Sequence, residues 1–164
     1  MKINVINVVR RSSGIFGLIL TISFGTAFAQ AENSGGGRLE GTWDAVVTLR
    51  NCANGNPIVV FSSIASFMQG GTTVGSTAGI PQSLRTPEHG VWRHVKGDTY
   101  LFKFKSFSFS PAGVPTGWSI ITTEIVLDPG GDSYVGTGTA QFFAPDGTQT
   151  GAGCNSSVGT RFEL

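Results

Sequence analysis

The 164-residue chain has few charged side chains and no helical hydrophobic pattern. Charged residues make up 13% of it, whereas about 25% is typical of globular proteins. Runs rich in Leu, Ala, Glu and Lys with a helical period are also lacking. Glycine, serine and threonine supply much of the polarity instead, and β-branched residues are frequent. This composition argues against a helical fold and favours the all-β class.

Metal ligands are scarce as well. The chain has two cysteines and two histidines, and the histidines lie far in sequence from both cysteines, unlike the closely spaced ligand pairs of a zinc site of Cys and His side chains. No cofactor-binding or catalytic motif stands out. We therefore predict no metal, no cofactor and no catalytic residue from the sequence.

Long apolar runs are absent except near the N-terminus. Residues 14–24 are apolar, and Ala27-Phe28-Ala29 is a small-residue cleavage site. The basic residues before this run are Lys2, Arg10 and Arg11. Residues 1–29 therefore resemble a secretory signal peptide. The run is shorter than the roughly 20 residues of a spanning helix, so we predict no transmembrane helix in the mature protein.

Export has consequences for the rest of the chain. Removal of 29 residues from 164 leaves 135, which suits one domain. We predict a flexible, Gly-rich leader at residues 30–38 and a single domain at residues 39–164 of a secreted or periplasmic protein. In a eukaryotic secretory pathway, Asn155-Ser156-Ser157 would be an N-glycosylation sequon.

The mature chain has no surplus of positive charge. Removing three basic residues from 11 leaves 8 against 10 acidic ones, a net charge of −2. Binding to phosphate backbones needs Lys and Arg in excess on one face. Nucleic acid is therefore not an expected partner.

Alternating apolar and polar residues, separated by turn-forming Gly, Pro, Asn and Asp, predict eight strands. They are expected at residues 39–50, 58–68, 72–77, 90–95, 99–110, 118–127, 133–143 and 148–164. Simple succession with mostly short turns predicts an antiparallel up-and-down meander that closes into a β-barrel. An eight-stranded barrel either fills with side chains or holds one small ligand.

The two cysteines of the exported protein, Cys52 and Cys154, are expected to form a disulfide. If they lie directly opposite each other on antiparallel first and last strands, facing residues have numbers that sum to 206. Glu163 then faces Trp43, and Arg161 is a close neighbour of that tryptophan. Pairing of these two end strands would close the barrel and remove both sheet edges.

The fifth predicted strand changes its aromatic phase. Its five aromatics fall on two parities, Tyr100, Phe102 and Phe104 on one and Phe107 and Phe109 on the other. An extra residue in the strand, at Lys105-Ser106, would bring all five to the same side. We therefore predict a β-bulge there.

The first strand carries Gly41-Thr42-Trp43 and the last carries Arg161. With an eight-strand meander between them, the chain resembles the calycin superfamily, which includes lipocalins and relatives such as avidins. In lipocalins the tryptophan of G-x-W caps one barrel end and an arginine of the last strand lies across it. The resemblance implies this structural role for Trp43 and Arg161.

The expected function is non-enzymatic binding of a small apolar or amphipathic molecule inside the barrel. The aromatic residues predicted to line the cavity are Phe61, Phe67, Trp92, Phe102, Phe104 and Phe142. Residues 79–88 contain two prolines, which cannot pair regularly in a sheet. This longest loop is a candidate rim or lid.

Two alternatives stay open. The first is an enzyme, by likeness to barrel cyclases such as allene oxide cyclase. Its scattered candidates are Glu88, His89, His94, Tyr100, Glu124 and Asp44, and their spacing defines no nucleophile and base. The second is a small outer-membrane barrel, because alternation does not distinguish an apolar interior from a lipid-facing exterior.

Overall fold

A computed structural model describes residues 37–164. Eight antiparallel strands in meander order form a closed barrel, in which each strand pairs with the next and β8 pairs with β1. The strands are β1 (Gly41–Arg50), β2 (Pro57–Met68), β3 (Thr72–Thr77), β4 (Glu88–Lys96), β5 (Thr99–Phe109), β6 (Pro115–Leu127), β7 (Ser133–Phe143) and β8 (Gln149–Arg161). This confirms the predicted all-β meander barrel. The predicted signal peptide lies outside the described residues.

The barrel has two different ends. We call the end where β1 begins the base, and the end where β1 stops the mouth. The core is concentrated at the base, where side chains from six strands and the preceding segment meet. Its buried members are Leu39, Trp43, Ala45, Phe67, Trp92, Tyr100, Ile125, Leu127 and Tyr134. Burying each large apolar side chain contributes about 1.5 to 3 kcal/mol, so the base is the stable platform of the fold.

Trp43 and Arg161 lie in contact at the base. The Arg161 guanidinium carbon is 4.3 Å from the Trp43 ring centroid. The same group donates to the carbonyls of Glu40 at 2.8 Å, Arg38 at 2.6 Å and Gly131 at 2.9 Å. Trp43 is fully buried, and its indole N–H donates to the Leu39 carbonyl at 2.9 Å. One planar cation thus ties three chain segments together over a buried indole.

The last residue of the predicted leader takes part in this arrangement. Arg38 forms an ion pair with Asp98 and donates to the carbonyls of Asp128 and Pro129 at 2.9 and 2.8 Å. Arg38 therefore docks on the turns at the base, although it is the final residue of a segment expected to be flexible. The rest of that segment up to residue 36 lies outside the described residues.

Replacing Arg161 by alanine should lower the free energy of unfolding by about 1 to 3 kcal/mol, because charge-assisted hydrogen bonds and stacking on Trp43 are lost. Arg161→Lys should recover little, since an ammonium cannot stack while donating to three carbonyls. Urea denaturation measures both variants, with Arg93→Ala, an exposed position on β4, as the control. An Arg161→Ala protein as stable as the control would reduce Arg161 to an ordinary surface charge.

The pairing of β1 with β8 is shifted by two residues from the prediction. Trp43 faces Arg161 rather than Glu163, and Arg50 faces Cys154. Cys52 lies beyond the end of β1, in the turn that leads to β2. It bonds to Cys154 with a Cα–Cα distance of 5.2 Å. The register prediction was wrong because it placed both cysteines within paired strands, whereas the disulfide joins a turn to a strand.

The predicted bulge at Lys105-Ser106 is also wrong. The ladder between β5 and β6 is regular from Thr99 to Ser108, and its register shifts only between Ser108 and Phe109. Phe107 therefore points outward and is 48% exposed. Ser106 and Ser108 take the inward positions instead, and Ser106 bonds to Arg85 and Ser119 inside the barrel.

Phe107 and Phe109 of β5 belong to an aromatic patch on the outer surface beside the mouth. The shallow groove here is lined by Phe107, Phe109, Pro115, Gly117, Trp118 and Pro145. Trp118 stacks on Phe143 with ring centroids 5.6 Å apart, and Lys105 Nζ lies 4.3 Å from the Trp118 ring centroid. The five aromatics of β5 are thus divided between the two faces of the sheet.

No helix within residues 37–164 is long and apolar enough to cross a membrane.

Candidate ligand cavity

A cavity of about 310 Å³ extends from above the core at the base to the mouth. Ligand pockets commonly range from about 300 to 1,000 Å³, so its volume suits a small molecule. Phe67 and Tyr134 lie at its lower end and are almost fully buried. At the mouth, Val59, Ile80 and Phe142 line the cavity and remain 41%, 40% and 39% exposed. The cavity is therefore closed at the base and reachable from solvent at the mouth.

The structure brings five of the six predicted aromatics to the cavity wall. These are Phe61, Phe67, Phe102, Phe104 and Phe142. The sixth, Trp92, is 2% exposed and packs below the cavity, with its ring centroid 6.0 Å from those of Phe67 and Tyr100. Its indole N–H donates to the Met68 carbonyl at 3.0 Å. Trp92 is thus part of the core rather than the lining.

The loop between β3 and β4 places an ion pair in the cavity wall. The loop includes a short 3-10 helix, Gln82–Leu84, after which Arg85 forms a bridge to Ser108 of β5. Arg85 Nη2 is 3.0 Å from Glu88 Oε1, and the two side chains are 10% and 7% exposed. Arg85 Nε donates to Ser106 Oγ at 2.7 Å. The loop predicted as a rim or lid therefore contributes charged groups to the interior.

Burial and pairing act in opposite directions on these two groups. Burial raises the pKa of Glu88, and the nearby Arg85 charge lowers it in part. Burial likewise lowers the pKa of Arg85, while the Glu88 carboxylate raises it. Each charge is tolerated inside the barrel because the other is present. Ser106 and Ser119, whose hydroxyls are 3.1 Å apart, extend this polar region along the wall.

A second polar group lies on β6, β7 and β8. Thr123 Oγ1 donates to Asn155 Oδ1 at 3.3 Å, and both side chains are buried. Gly138 is the β7 residue between them in the register. A Cβ on Gly138 would lie 2.7 Å from Thr123 Oγ1. Glycine at this position therefore lets the Thr123 and Asn155 side chains approach each other across β7.

Tyr134 and Ser157 continue this polar group toward the base. Burial raises the pKa of Tyr134 to about 12, and a hydrogen bond with Ser157 offsets part of that effect. Gly159 lies directly opposite Tyr134, and a Cβ there would collide with the phenol ring. The Tyr134 hydroxyl is thus held neutral over the ordinary pH range in a space that glycine provides.

Stability should fall in alkaline solution because of Tyr134. Its pKa rises from 10.0 in the unfolded chain to about 12 in the barrel. Between these values the unfolded chain releases a proton that the folded chain keeps, so the free energy of unfolding falls by about 2 to 3 kcal/mol in total. Urea denaturation at pH 9, 10 and 11 measures the slope. Tyr134→Phe should flatten it, leaving the smaller part due to Tyr100, whose pKa is also raised by burial. Equal slopes in parent and variant would contradict this assignment.

The residues considered for an enzyme do not converge on one site. His89 is exposed and neighbours the inward-facing Glu88 on β4. His94 lies near the base, with Nε2 2.7 Å from the Gly97 carbonyl oxygen and its ring 5.0 Å from that of Tyr100. Asp44 and Glu124 are exposed. Within residues 37–164, no three His, Cys, Asp or Glu side chains are grouped to hold a metal ion.

The position of Asn155 also bears on the sequon. The side chain is 7% exposed and lines the cavity, so an oligosaccharide cannot be attached to it in the folded barrel. Asn155 is instead one of the polar cavity residues that the sequence analysis did not select. Further examples are Arg85, Ser108, Ser119, Thr123 and Ser157. A usable signal was the parity of β8, on which Asn155, Ser157 and Arg161 share one face.

Comparisons with known proteins add little to this picture. No protein-family model matches the sequence, and no curated protein matches it. The barrel is similar to the crystal structure of Rv2717c from M. tuberculosis, with 14% sequence identity and a TM-score of 0.38. That similarity covers 77% of this chain and 94% of the other.

Proposed function

We propose that this protein, in an exported form, binds a small apolar or amphipathic molecule inside its barrel without catalysing a reaction. The observation that carries the proposal is the cavity of about 310 Å³, closed at the base and open at the mouth. Its lining combines phenylalanines and aliphatic residues with a few polar groups, which is the usual composition of a small-molecule site. The predicted signal peptide and the disulfide support export.

The outward face of the barrel supports an aqueous rather than a lipid environment. Arg93, Lys103 and Glu124 lie within β4, β5 and β6 and are exposed. Charged side chains near the middle of a lipid-facing strand cost about 2 to 4 kcal/mol for Arg and Lys. We therefore favour binding from water over an outer-membrane barrel, the alternative that would gain if the mature protein needed detergent to remain monomeric.

Fluorescence titration with N-phenyl-1-naphthylamine, a neutral dye that brightens in apolar surroundings, tests this proposal. We expect saturable binding of one dye per chain. Val47 lines the cavity, and Val46, its neighbour on β1, points outward and is 52% exposed. Val47→Phe should weaken binding about tenfold or more by filling the cavity, whereas the matched control Val46→Phe should bind as the parent does. Absence of saturable binding, or equal losses in the two variants, would count against a ligand in the barrel.

An isomerase or cyclase is the second candidate, and Glu88 favours it. A buried carboxylate with a raised pKa in an apolar cavity has the properties of a general base. Such a base would remove a proton from carbon next to a carbonyl and return one from the carboxyl group. Deuterium uptake by the methyl group of 2-acetylnaphthalene in heavy water, faster with the parent than with Glu88→Gln, would support this function. Equal uptake with the parent and with Glu88→Gln would argue against catalysis by Glu88 and favour binding alone.

A further inference from the structure

Asn155 lies in the cavity wall and carries an unused hydrogen-bond donor. The side chain is 7% exposed and belongs to the lining. Its Oδ1 accepts from the Thr123 hydroxyl, which orients the amide. The other end of the amide, Nδ2, is buried without a hydrogen-bond partner.

A buried amide N–H without an acceptor destabilises the folded protein. Leucine has nearly the same size and would avoid that cost. The chain nevertheless has asparagine here, together with Gly138, which allows the approach to Thr123. An acceptor atom on a bound molecule would satisfy Nδ2, so the unpaired donor indicates what the ligand offers.

The charges in the lining indicate that this acceptor is neutral. Among the described residues that line the cavity, the charged ones are Arg85 and Glu88. They pair with each other at 3.0 Å, so no net positive charge is left for an anion. A carboxylate in this space would lose its hydration without gaining a counterion. A carbonyl oxygen loses far less and still accepts the Asn155 hydrogen bond.

We propose that the cavity selects uncharged apolar molecules that carry a carbonyl group, such as ketones, aldehydes or esters, and that Asn155 Nδ2 donates to the carbonyl oxygen. This inference rests on the proposed function, since it names the ligand class of the same cavity. The phenylalanines of the wall contact the apolar part of the molecule. Thr123 acts as a positioning residue, because it holds the amide in the orientation that donates.

Three probes of matched shape test this inference by calorimetry. These are 2-acetylnaphthalene, 2-ethylnaphthalene and 2-naphthoate. We expect 2-acetylnaphthalene to bind about tenfold more tightly than 2-ethylnaphthalene, as one hydrogen bond to an otherwise unsatisfied donor allows. The naphthoate should bind more weakly than both. In the parent protein, nuclear magnetic resonance should show a shift of the Asn155 side-chain amide with the ketone and a smaller one with the hydrocarbon.

Asn155→Leu should remove the preference for the ketone and keep the affinity for 2-ethylnaphthalene. Val158→Leu, at an exposed position on the same strand, is the matched control and should retain the preference. Because the amide resonance is read in the parent protein, the inference stays testable if Asn155→Leu fails to fold.

The possible failures can be told apart. If none of the three probes binds and the neutral dye does not bind either, the proposed function itself fails. If ketone and hydrocarbon bind equally and the Asn155 amide resonance responds to both alike, Asn155 does not recognise a carbonyl, while the cavity still binds ligands. If the naphthoate binds most tightly, the preference for an uncharged molecule is overturned.

Discussion

Removing the disulfide should destabilise the barrel by about 4 kcal/mol. The bond joins Cys52 and Cys154, which are 102 residues apart in sequence. In the polymer model, a cross-link across a loop of this length lowers the entropy of the unfolded chain by an amount worth about 4 to 5 kcal/mol. Urea denaturation of the double variant Cys52→Ser/Cys154→Ser gives the loss of unfolding free energy directly.

Two further measurements control this prediction. Mass spectrometry of the unreduced parent should show no free thiol. The parent reduced with a non-thiol phosphine should unfold at the same urea concentration as the double serine variant, because both lack the same cross-link. If the parent and the double variant unfold at the same urea concentration, the bond contributes no stability and is only a consequence of two sulfurs lying close together.

The fold could be predicted from local pattern because each strand buries one face. Alternation on β1 and the glycine- and proline-containing turns gave strand boundaries within a few residues of those observed. β3, residues 72–77, and β7, residues 133–143, agree at both ends. Barrel closure was favoured by the cysteines, since a bond between Cys52 and Cys154 brings the end of β1 close to β8. Local period and one long-range constraint therefore sufficed for the topology.

The cross-strand register could not be obtained in the same way. A disulfide restrains two Cα atoms to a range of distances, and residues in a turn satisfy that range as well as facing residues do. Cys52 lies in such a turn, so the predicted register was displaced by two residues. A shift of two keeps every side chain on its own face. For this reason the inward-facing residues of β1 were predicted correctly although the register was wrong.

The polar residues of the cavity could not be predicted from the sequence for a different reason. Arg85 belongs to a loop whose path across β5 depends on tertiary contacts, including the bridge from Arg85 to Ser108. From the sequence, the two prolines of this loop predicted only an unpaired segment at the rim. The assumption that five aromatics share a face then suggested a bulge, when Ser106 occupies an inward position and accepts the Arg85 hydrogen bond. Aromatic content alone was a poor guide to which face is buried.

Breaking the Arg85–Glu88 pair from one side should cost about 3 to 5 kcal/mol, because the remaining charge stays buried without its partner. Arg85→Met leaves the Glu88 carboxylate without its partner, and Glu88→Leu leaves the Arg85 guanidinium without its partner. The double variant Arg85→Met/Glu88→Leu should lose less than either single variant, since two buried charges are replaced by packed apolar groups of similar size. Arg93→Met, at an exposed position on β4, controls for loss of one positive charge.

The pH dependence of Arg85→Met distinguishes a buried charge from lost packing. Burial already raises the pKa of Glu88 above 4.5 in the parent, and Arg85 is what limits that rise. Without Arg85 the folded-state pKa of Glu88 should rise further. The protonated carboxyl then gives its full stabilising effect at pH values below its pKa in the unfolded chain. That effect is lost as the pH rises through the folded-state pKa. Denaturation of Arg85→Met should therefore show a loss that is large at pH 8 and small near pH 4. A loss of the same size at both pH values would mean that Arg85 stabilises the barrel through the packing of its aliphatic part, and that Glu88 stays ionised without Arg85.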